Sequence, residues 1–314
     1  MMPRLLPEDP GRLQSLAATA SLAVAVSLAT LKLLAAILTG SLALLSSTID
    51  SLTDILASGV TYLSVRVARQ PPDRSHRFGH GKAEALSALA QAALVLGAAL
   101  FVLVEGVQRL IAPPTLRASG FGMLVMLLAI LVTALLLALQ RHVVARTGSQ
   151  AIAADAVHYR ADFLTNFATL LSLFLVGEFG WSRPDPVIAA LIAAYLAFHA
   201  VRIGRQAVDV LMDRELPTAV RARILELVRT EPEVRGVHDL RTRRAGRTMF
   251  VEMHVEFDPE LTVRAAHDIA DALERRLEAA FPGAEILIHQ EPAGIEDHRL
   301  DHVIAGRRDL PGPT

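Results

Sequence analysis

The stretch IDSLTD, residues 49–54, places two carboxylates inside an apolar run that is long enough to cross a lipid bilayer. Residues four apart lie one above the other on one face of a helix, so Asp50 and Asp54 are expected to point the same way. Each ionised carboxylate costs several kcal/mol in hydrocarbon, and two neighbouring negative charges also repel each other. A membrane helix keeps such a pair where a positive charge lies between the two, so this stretch predicts a cation site.

A second pair with the same spacing follows in HYRAD, residues 158–162, again in a helical and mostly apolar segment. With His158 and Asp162, the two pairs offer three carboxylates and one imidazole, a ligand set that suits zinc or a similar divalent ion. The alternative is that each residue is an isolated polar group that pairs locally or faces a cavity. Ionisable residues inside a membrane are functional by default, which favours the metal site. Asp155, one turn earlier, is expected to be a solvated carboxylate at the helix end.

The composition is typical of a membrane protein. The chain has 314 residues, of which 52% are hydrophobic and only 5% aromatic, and its mean hydropathy is +0.40. Small aliphatic residues of this kind suit closely packed membrane helices. The formal net charge of -1 gives no basic field for nucleic acid, and the absence of cysteine excludes disulfides and thiolate metal sites.

Six apolar segments are long enough to cross a bilayer, which takes about 20 residues. They cover residues 16–38, 42–67, 83–111, 121–139, 151–176 and 187–211. Arg and Lys concentrate before the first segment and after the second, fourth and sixth, which predicts that both termini are cytoplasmic. The fold class expected is therefore an all-α membrane domain of six transmembrane helices followed by a cytoplasmic α+β domain.

The cytoplasmic domain is predicted from a change of pattern after the sixth segment. Helical and alternating periodicities follow in the order α-β-β-α-β, with Thr262 as the N-cap of the second helix. The tail is charged and is expected to be disordered. The predicted domains are a cytoplasmic N-terminus (1–15), the transmembrane domain (16–212), a metal-binding dimerisation domain (213–292) and the tail (293–314).

Two further groups of histidines could hold metal ions outside the membrane segments. The loop after the second segment contains Asp73, His76 and His80, although spacing alone slightly favours an ordinary solvated loop. The cytoplasmic domain is dense in histidine, and the alternative there is a scatter of surface side chains. The candidate ligands of this domain are His238, His254, His267, His289 and Glu291.

At these residues the sequence resembles the cation diffusion facilitator family, from the first apolar segment to about Pro292. The likeness is dense in STIDSLTDILAS, HRFGHGKAEALSALAQ, LMDRELP, GVHDLRTR and ILIHQEP. It implies a transport site, a loop site and a binuclear cytoplasmic site on the three sets named above. In the cytoplasmic set, Glu291 stands where a close relative has Asp, so the longer side chain is a departure from the relative's bridging geometry.

The resemblance also implies a homodimer in a bacterial inner membrane, with a copper-chaperone-like cytoplasmic domain that binds metal and draws the subunits together. Lys82 and Asp213 match the family's charge interlock at the dimer contact of the membrane domain. Taken alone, the two would be a lysine that extends to the interface and an aspartate at a helix end. The metal implied is Zn²⁺, both transported and structural, with Fe²⁺ or Cd²⁺ as alternatives.

The function predicted is proton-coupled efflux of a divalent cation by alternating access. Without an ion, the transport site would hold three negative charges inside a membrane, so protons are expected to replace the metal when it leaves. A membrane-anchored metal sensor is the alternative, but an anchor would need no aspartates in its helices. An enzyme is the other rival class, yet the chain has no HExxH motif, and four protein ligands leave no position for a catalytic water.

Overall fold

The computed structural model describes residues 9–39, 42–111, 120–179, 184–295 and 299–304. It forms two compact units, Met1–Leu211 and Met212–Thr314. The first unit consists of long helices and the second is a small α+β domain, so the predicted fold class is confirmed.

The described residues of the membrane unit form six long helices. They are α1 (Pro10–Thr39), α2 (Leu42–Ala68), α3 (Ala83–Ile111), α4 (Gly120–Thr147), α5 (Gln150–Phe179) and α6 (Pro184–Leu211). Within the described part of the chain, four of them, α1, α3, α4 and α6, are long and apolar enough to cross a membrane by themselves. The other two, α2 and α5, are the helices that contain the aspartate and histidine pairs, and those side chains lower their hydropathy.

Small residues form many of the contacts between the membrane helices. Ala88 on α3, Ala154 on α5 and Ala207 on α6 are almost fully buried against one another. Large side chains such as Leu100 and Leu135 point outward instead, with more than half of their surface exposed. This inversion of a soluble protein's arrangement lets the helix backbones approach closely while leucine faces the lipid.

Hydrogen bonds inside the bundle connect α1, α2 and α5. The Tyr159 hydroxyl donates to the backbone carbonyl of Ser21 at 2.8 Å and also lies 2.8 Å from the Ser58 hydroxyl. All three residues are buried. With no water available inside a bilayer, each of these groups depends on the others for its hydrogen bonds.

Asp155 belongs to the same network, so the prediction that it is a solvated carboxylate is wrong. It is 0% exposed, and its carboxylate accepts hydrogen bonds from Gln140 on α4 at 2.8 Å and from Thr61 on α2 at 3.4 Å. Gln91 on α3 in turn donates to Thr61 at 3.0 Å. The sequence placed Asp155 near a helix end, but neighbouring helices enclose that end and supply donors for the charge.

The cytoplasmic unit has the predicted order α-β-β-α-β. Its elements are α7 (Thr218–Arg229), β1 (Gly236–Ala245), β2 (Thr248–Phe257), α8 (Val263–Ala280) and β3 (Ala284–Pro292). The sheet order is β1-β2-β3, with β1 and β2 antiparallel and β2 and β3 parallel. Thr262 is the N-cap of α8, as predicted, because its hydroxyl accepts a hydrogen bond from the Ala265 amide.

The strand register aligns three histidines in one row across the sheet. His238 on β1 is opposite His254 on β2, and His254 is opposite His289 on β3. Directly opposite residues have side chains on the same face about 5 Å apart. Pairing of the strands therefore brings together residues that are as distant in sequence as His238 and His289.

The tail beyond Pro292 is not wholly disordered, which corrects the sequence prediction. A short helix, α9 (Leu300–Ile304), docks on β1. The Asp239 carboxylate accepts hydrogen bonds from the amides of Leu300 and Asp301 at 2.9 and 2.8 Å. Burial opposes ionisation of Asp239, but these amides outweigh it and hold its pKa below the ordinary value. A capping partner far away in sequence thus orders a segment whose composition alone suggests disorder.

Replacing Tyr159 by Phe tests the network of the bundle. The variant leaves the Ser58 hydroxyl and the Ser21 carbonyl short of a partner, which should lower the free energy of unfolding by about 1 kcal/mol. Thermal unfolding of the purified protein in detergent measures the effect. Tyr195→Phe, at a position on α6 that is 40% exposed, is the matched control and should leave the melting temperature unchanged. Equal melting temperatures for both variants would contradict the role assigned to Tyr159.

Candidate metal centres

The first candidate centre lies inside the helical bundle, between α2 and α5. His158 Nε2 is 3.1 Å from Asp54 Oδ1 and 3.8 Å from Asp162 Oδ2. One ligand atom from each of the three residues lies within 4.8 Å of the others. The helical spacing puts His158 and Asp162 on one face of α5, and packing of α2 against that face adds Asp54. The interior of the membrane unit therefore contains two carboxylates and an imidazole close enough to share one ion.

The fourth predicted ligand, Asp50, lies on α2 one turn before Asp54. Its side chain lies outside the described residues, so its membership of the centre stays a prediction.

A cationic residue that the sequence analysis missed lies at this centre. The Lys32 ammonium, on α1, donates a hydrogen bond to the Ser51 hydroxyl at 2.8 Å. Ser51 is buried and follows Asp50 directly in the chain. Lys32 is also within electrostatic range of Asp162 on α5. The signal was present in the sequence, because a single lysine in the first apolar segment is as unusual as the aspartates.

The second candidate centre is the loop between α2 and α3. The Asp73 carboxylate accepts hydrogen bonds from the amides of His76 at 2.6 Å and Ser75 at 2.8 Å, which lower its pKa to about 2. His80 Nε2 lies 3.4 Å from the other carboxylate oxygen, and His76 Nδ1 lies 3.5 Å from the first. The three predicted loop ligands are therefore brought together.

His80 supplies an observation that favours a metal ion in the loop. Its Nδ1 atom is buried and has no hydrogen-bond partner among the described residues. A buried polar atom without a partner is costly, and an imidazole nitrogen can donate its lone pair to a metal ion there.

The third candidate centre is on the sheet of the cytoplasmic unit, at the row of histidines. Glu291 approaches all three imidazoles: its Oε1 lies 2.6 Å from His254 Nδ1 and 3.5 Å from His289 Nε2. Its Oε2 lies 3.2 Å from His238 Nε2. The glutamate at this position is thus long enough to link the row from end to end.

Glu256 is a second carboxylate at this centre, and the sequence analysis missed it. Its Oε1 is 3.2 Å from His238 Nδ1, although the geometry is not that of a hydrogen bond and Nδ1 is buried without such a partner in the described structure. Arg299, from the segment before α9, donates to the same oxygen at 2.7 Å. Side chains alternate between the two faces of β2, so Glu256, two residues after His254, lies on the same face. Glu256 could therefore have been predicted from the strand register.

One predicted cytoplasmic ligand lies apart from the others. His267, on α8, has 61% of its side chain exposed, and its Nδ1 is 3.7 Å from Asp271 Oδ1. The structure of this protomer therefore does not bring His267 to the row of histidines on the sheet.

The two residues of the predicted dimer interlock each have a local partner. Lys82 donates to the backbone carbonyl of Leu211, at the end of α6, at 3.3 Å. Asp213 has a positive φ of 56° and lies 3.5 Å from Arg243. Their pairing with each other stays a prediction.

Comparison with known proteins gives matches over both units. The cation efflux transmembrane domain matches residues 18–212, and the cytoplasmic domain of cation efflux proteins matches residues 216–293. The cation-efflux pumps FieF of Klebsiella pneumoniae and of Escherichia coli (strain K12 / DH10B) are each 44% identical over 285 residues, which is 91% of this chain and 95% of the relative. A solved metal-bound C-terminal domain of the CzcD transporter from Thermotoga maritima is 28% identical, with a TM-score of 0.25, and covers 25% of this chain and 93% of its own.

The Asp73 hydrogen bonds predict how the metal-free loop responds to acid. Because the folded pKa is lowered from 3.8 to about 2, the contribution of this carboxylate to loop order is complete above about pH 4 and disappears as the pH falls towards 2. The amide resonances of Ser75 and His76 in isotope-labelled protein report these bonds. They should stay unshifted down to about pH 3, and a midpoint near pH 4 would contradict the geometry.

Proposed function

Because the chain is an integral membrane protein that belongs to the cation efflux family of transporters, we propose that it exports a divalent metal ion through the centre between α2 and α5. The ligands proposed are Asp50, Asp54, His158 and Asp162. Family membership indicates a transporter rather than an enzyme, and the position of this centre inside the bundle indicates where the ion crosses.

The observation that supports this site best is the approach of Asp54, His158 and Asp162 across two helices. Ionised carboxylates remain inside a membrane protein only when a cation or a proton compensates them. A site assembled from two separate helices can also change its geometry when those helices move. Binding and release of an ion can thus be coupled to opening of the site first to one side of the membrane and then to the other, in an alternating-access cycle.

The donor atoms support zinc as the ion. Three carboxylates and an imidazole provide four oxygen and nitrogen ligands, which suits tetrahedral Zn²⁺. Magnesium and calcium prefer all-oxygen sites with higher coordination numbers. Fe²⁺ and Cd²⁺ tolerate the same ligands and are the second choices.

Proton exchange follows from the charges of the empty site. When the metal leaves, its two positive charges leave with it, while the carboxylates stay in a medium of low dielectric constant. Protons are the compensating cations available from the other side of the membrane, and metal ligands bind metal only when deprotonated. We therefore propose an antiporter that exchanges the metal for external protons, in a bacterial inner membrane and with both termini cytoplasmic.

The loop and cytoplasmic centres are proposed to hold resident zinc ions. Asp73, His76 and His80 would hold one ion in the loop, where it would tie the loop to the start of α3. His238, His254, His289 and Glu291 would hold metal on the sheet. The mutual approach of Asp73, His76 and His80, and of His238, His254 and Glu291, supports both assignments.

The remaining ligand and the interlock fit a homodimer, the assembly that the matched cytoplasmic domain supports. His267 is exposed and separate from the row of histidines in its own protomer, so we propose that it serves a metal held with a second subunit. Lys82 and Asp213 are proposed to join the membrane domains of the dimer. The lipid bilayer, metal ions and protons are the other partners.

Reconstituted vesicles test the transport site directly. Zinc uptake into liposomes containing the wild-type protein should fall to the rate of empty liposomes in Asp54→Ala and in Asp162→Ala. Each variant removes one carboxylate from the cage, which is the set of proposed ligands Asp50, Asp54, His158 and Asp162. Each leaves the buried network of α1, α4 and α5 intact. Asp209→Ala, near the end of α6 and distant from the cage in sequence, is the control and should retain uptake. Normal flux in either cage variant would remove the assignment.

The proton coupling has its own measurement. In liposomes with an acidic lumen and no electrical potential, external zinc should enter faster than in liposomes without a pH difference, and the lumen should become more alkaline as zinc enters. Acidification of the outer medium should follow with the same time course. Zinc flux that is independent of the pH difference would contradict the exchange while leaving the transport assignment in place.

Lys32 provides a prediction about affinity. Its positive charge opposes a divalent ion at the same centre, so Lys32→Met and Lys32→Gln should bind zinc roughly tenfold more tightly and release it more slowly. Calorimetry on protein without the loop and cytoplasmic histidines measures the affinity, and vesicle uptake measures the turnover. Lys32→Arg should keep both values, as should Thr30→Val on the exposed face of α1. Weaker binding in Lys32→Gln would show that the ammonium supports the ion instead of opposing it.

A further inference from the structure

A groove on the membrane unit is lined by three arginines that the transport site does not use. The groove has a volume of about 380 Å³ and lies between α4, α5 and α6. Its polar lining consists of Arg141 on α4, Arg160 on α5, and His199, Arg202 and Gln206 on α6. Its apolar lining is made of small and aliphatic residues, among them Ala153, Ala156 and Val157.

This groove is separate from the metal centre of the bundle. Arg160 is two residues from both His158 and Asp162, which turns it roughly 200° around α5, to the opposite face. The ligands face α2, whereas the groove is on the side of α4 and α6. The transport site therefore does not explain why this groove is lined by arginines.

The arginines of the groove have no negative partner in the described structure. None of Arg141, Arg160 and Arg202 has a carboxylate within ion-pair distance or a hydrogen bond to another described residue. Arg160 and Arg202 are both within electrostatic range of His199. Guanidinium groups that converge without a carboxylate repel one another, so an anion from outside the protein would relieve the repulsion.

The depth of the groove fits the headgroup layer of a lipid leaflet. Each arginine lies roughly 9 to 15 Å along its helix from one helix end, at a rise of about 1.5 Å per residue. Arg141 lies before the end of α4, and Arg202 lies before the end of α6. Arg160 lies after the start of α5. These three helix ends lie on one side of the bundle, where the short connection between α4 and α5 is found. Long arginine side chains can extend from such positions to the interface between lipid and water.

We propose that this groove binds the phosphate of an anionic phospholipid from the cytoplasmic leaflet. The arginines hold the phosphate by charge-assisted hydrogen bonds, and the alanine and valine wall contacts the acyl chain. The apolar wall is the reason for choosing a lipid over a free anion, because dissolved phosphate would gain nothing from it. By contacting three helices, the lipid stabilises the packing of α4 and α6 around α5.

Native mass spectrometry of the delipidated full-length protein in detergent tests this proposal. Phosphatidylglycerol should bind with at least about tenfold higher affinity than phosphatidylcholine, because the three arginines attract its net negative charge. The double variant Arg160→Gln/Arg202→Gln should lose this preference. Arg146→Gln, an exposed position on α4 outside the groove, removes one positive charge, as Arg202→Gln does, and should retain it.

A thermal-shift series on the same samples separates the sources of the phosphate. Phosphatidylglycerol should raise the melting temperature of the wild type and of Arg146→Gln, each relative to its own lipid-free sample, and inorganic phosphate should raise neither. The single variant Arg202→Gln should reduce the shift, which covers the case in which the double variant does not fold. Equal shifts with phosphatidylcholine, a full shift with inorganic phosphate alone, or an unchanged preference in Arg202→Gln and the double variant would each overturn the proposal.

Discussion

The need to compensate charge in a medium that cannot solvate it governs the architecture of this protein. Asp54 and Asp162 lie on different helices and meet at His158, so neither α2 nor α5 could occupy its place without the other. Within the described residues, α1, α3, α4 and α6 are each long and apolar enough to cross a membrane, whereas α2 and α5 contain the ionisable residues of the site. The apolar helices thus provide the enclosure, and the two polar ones provide the site.

The polar network beside the site is also governed by the need to compensate charge that the membrane interior cannot solvate. Asp155 and Tyr159 lie on the same helix as the ligand His158, and their hydrogen bonds extend to α1, α2 and α4. A carboxylate that is fully buried and held by amide and hydroxyl donors orients its helix as well as stabilising it. The ligands of α5 are therefore fixed by contacts within about one helical turn of the site.

Much of this arrangement was predictable from the sequence, and the exceptions share a cause. The spacing of Asp54, His158 and Asp162, the order of the cytoplasmic elements and the N-cap at Thr262 all follow from local periodicity. Asp155, the ordered tail and the separation of His267 from the other histidines depend on contacts between elements that are distant in the chain. Lys32 and Glu256 were detectable, the first as an intramembrane charge and the second from strand register, but neither matches a familiar spacing.

X-ray absorption at the zinc edge tests the central claim most directly, on protein in which the candidate imidazole ligands of the other two centres are replaced by alanine, namely His76, His80, His238, His254, His267 and His289. The account predicts a four-coordinate ion with one imidazole and three oxygen ligands, at about 2.0–2.1 Å. A spectrum with two or more imidazoles, or with six oxygen ligands as in hydrated zinc, would contradict a cage built from α2 and α5.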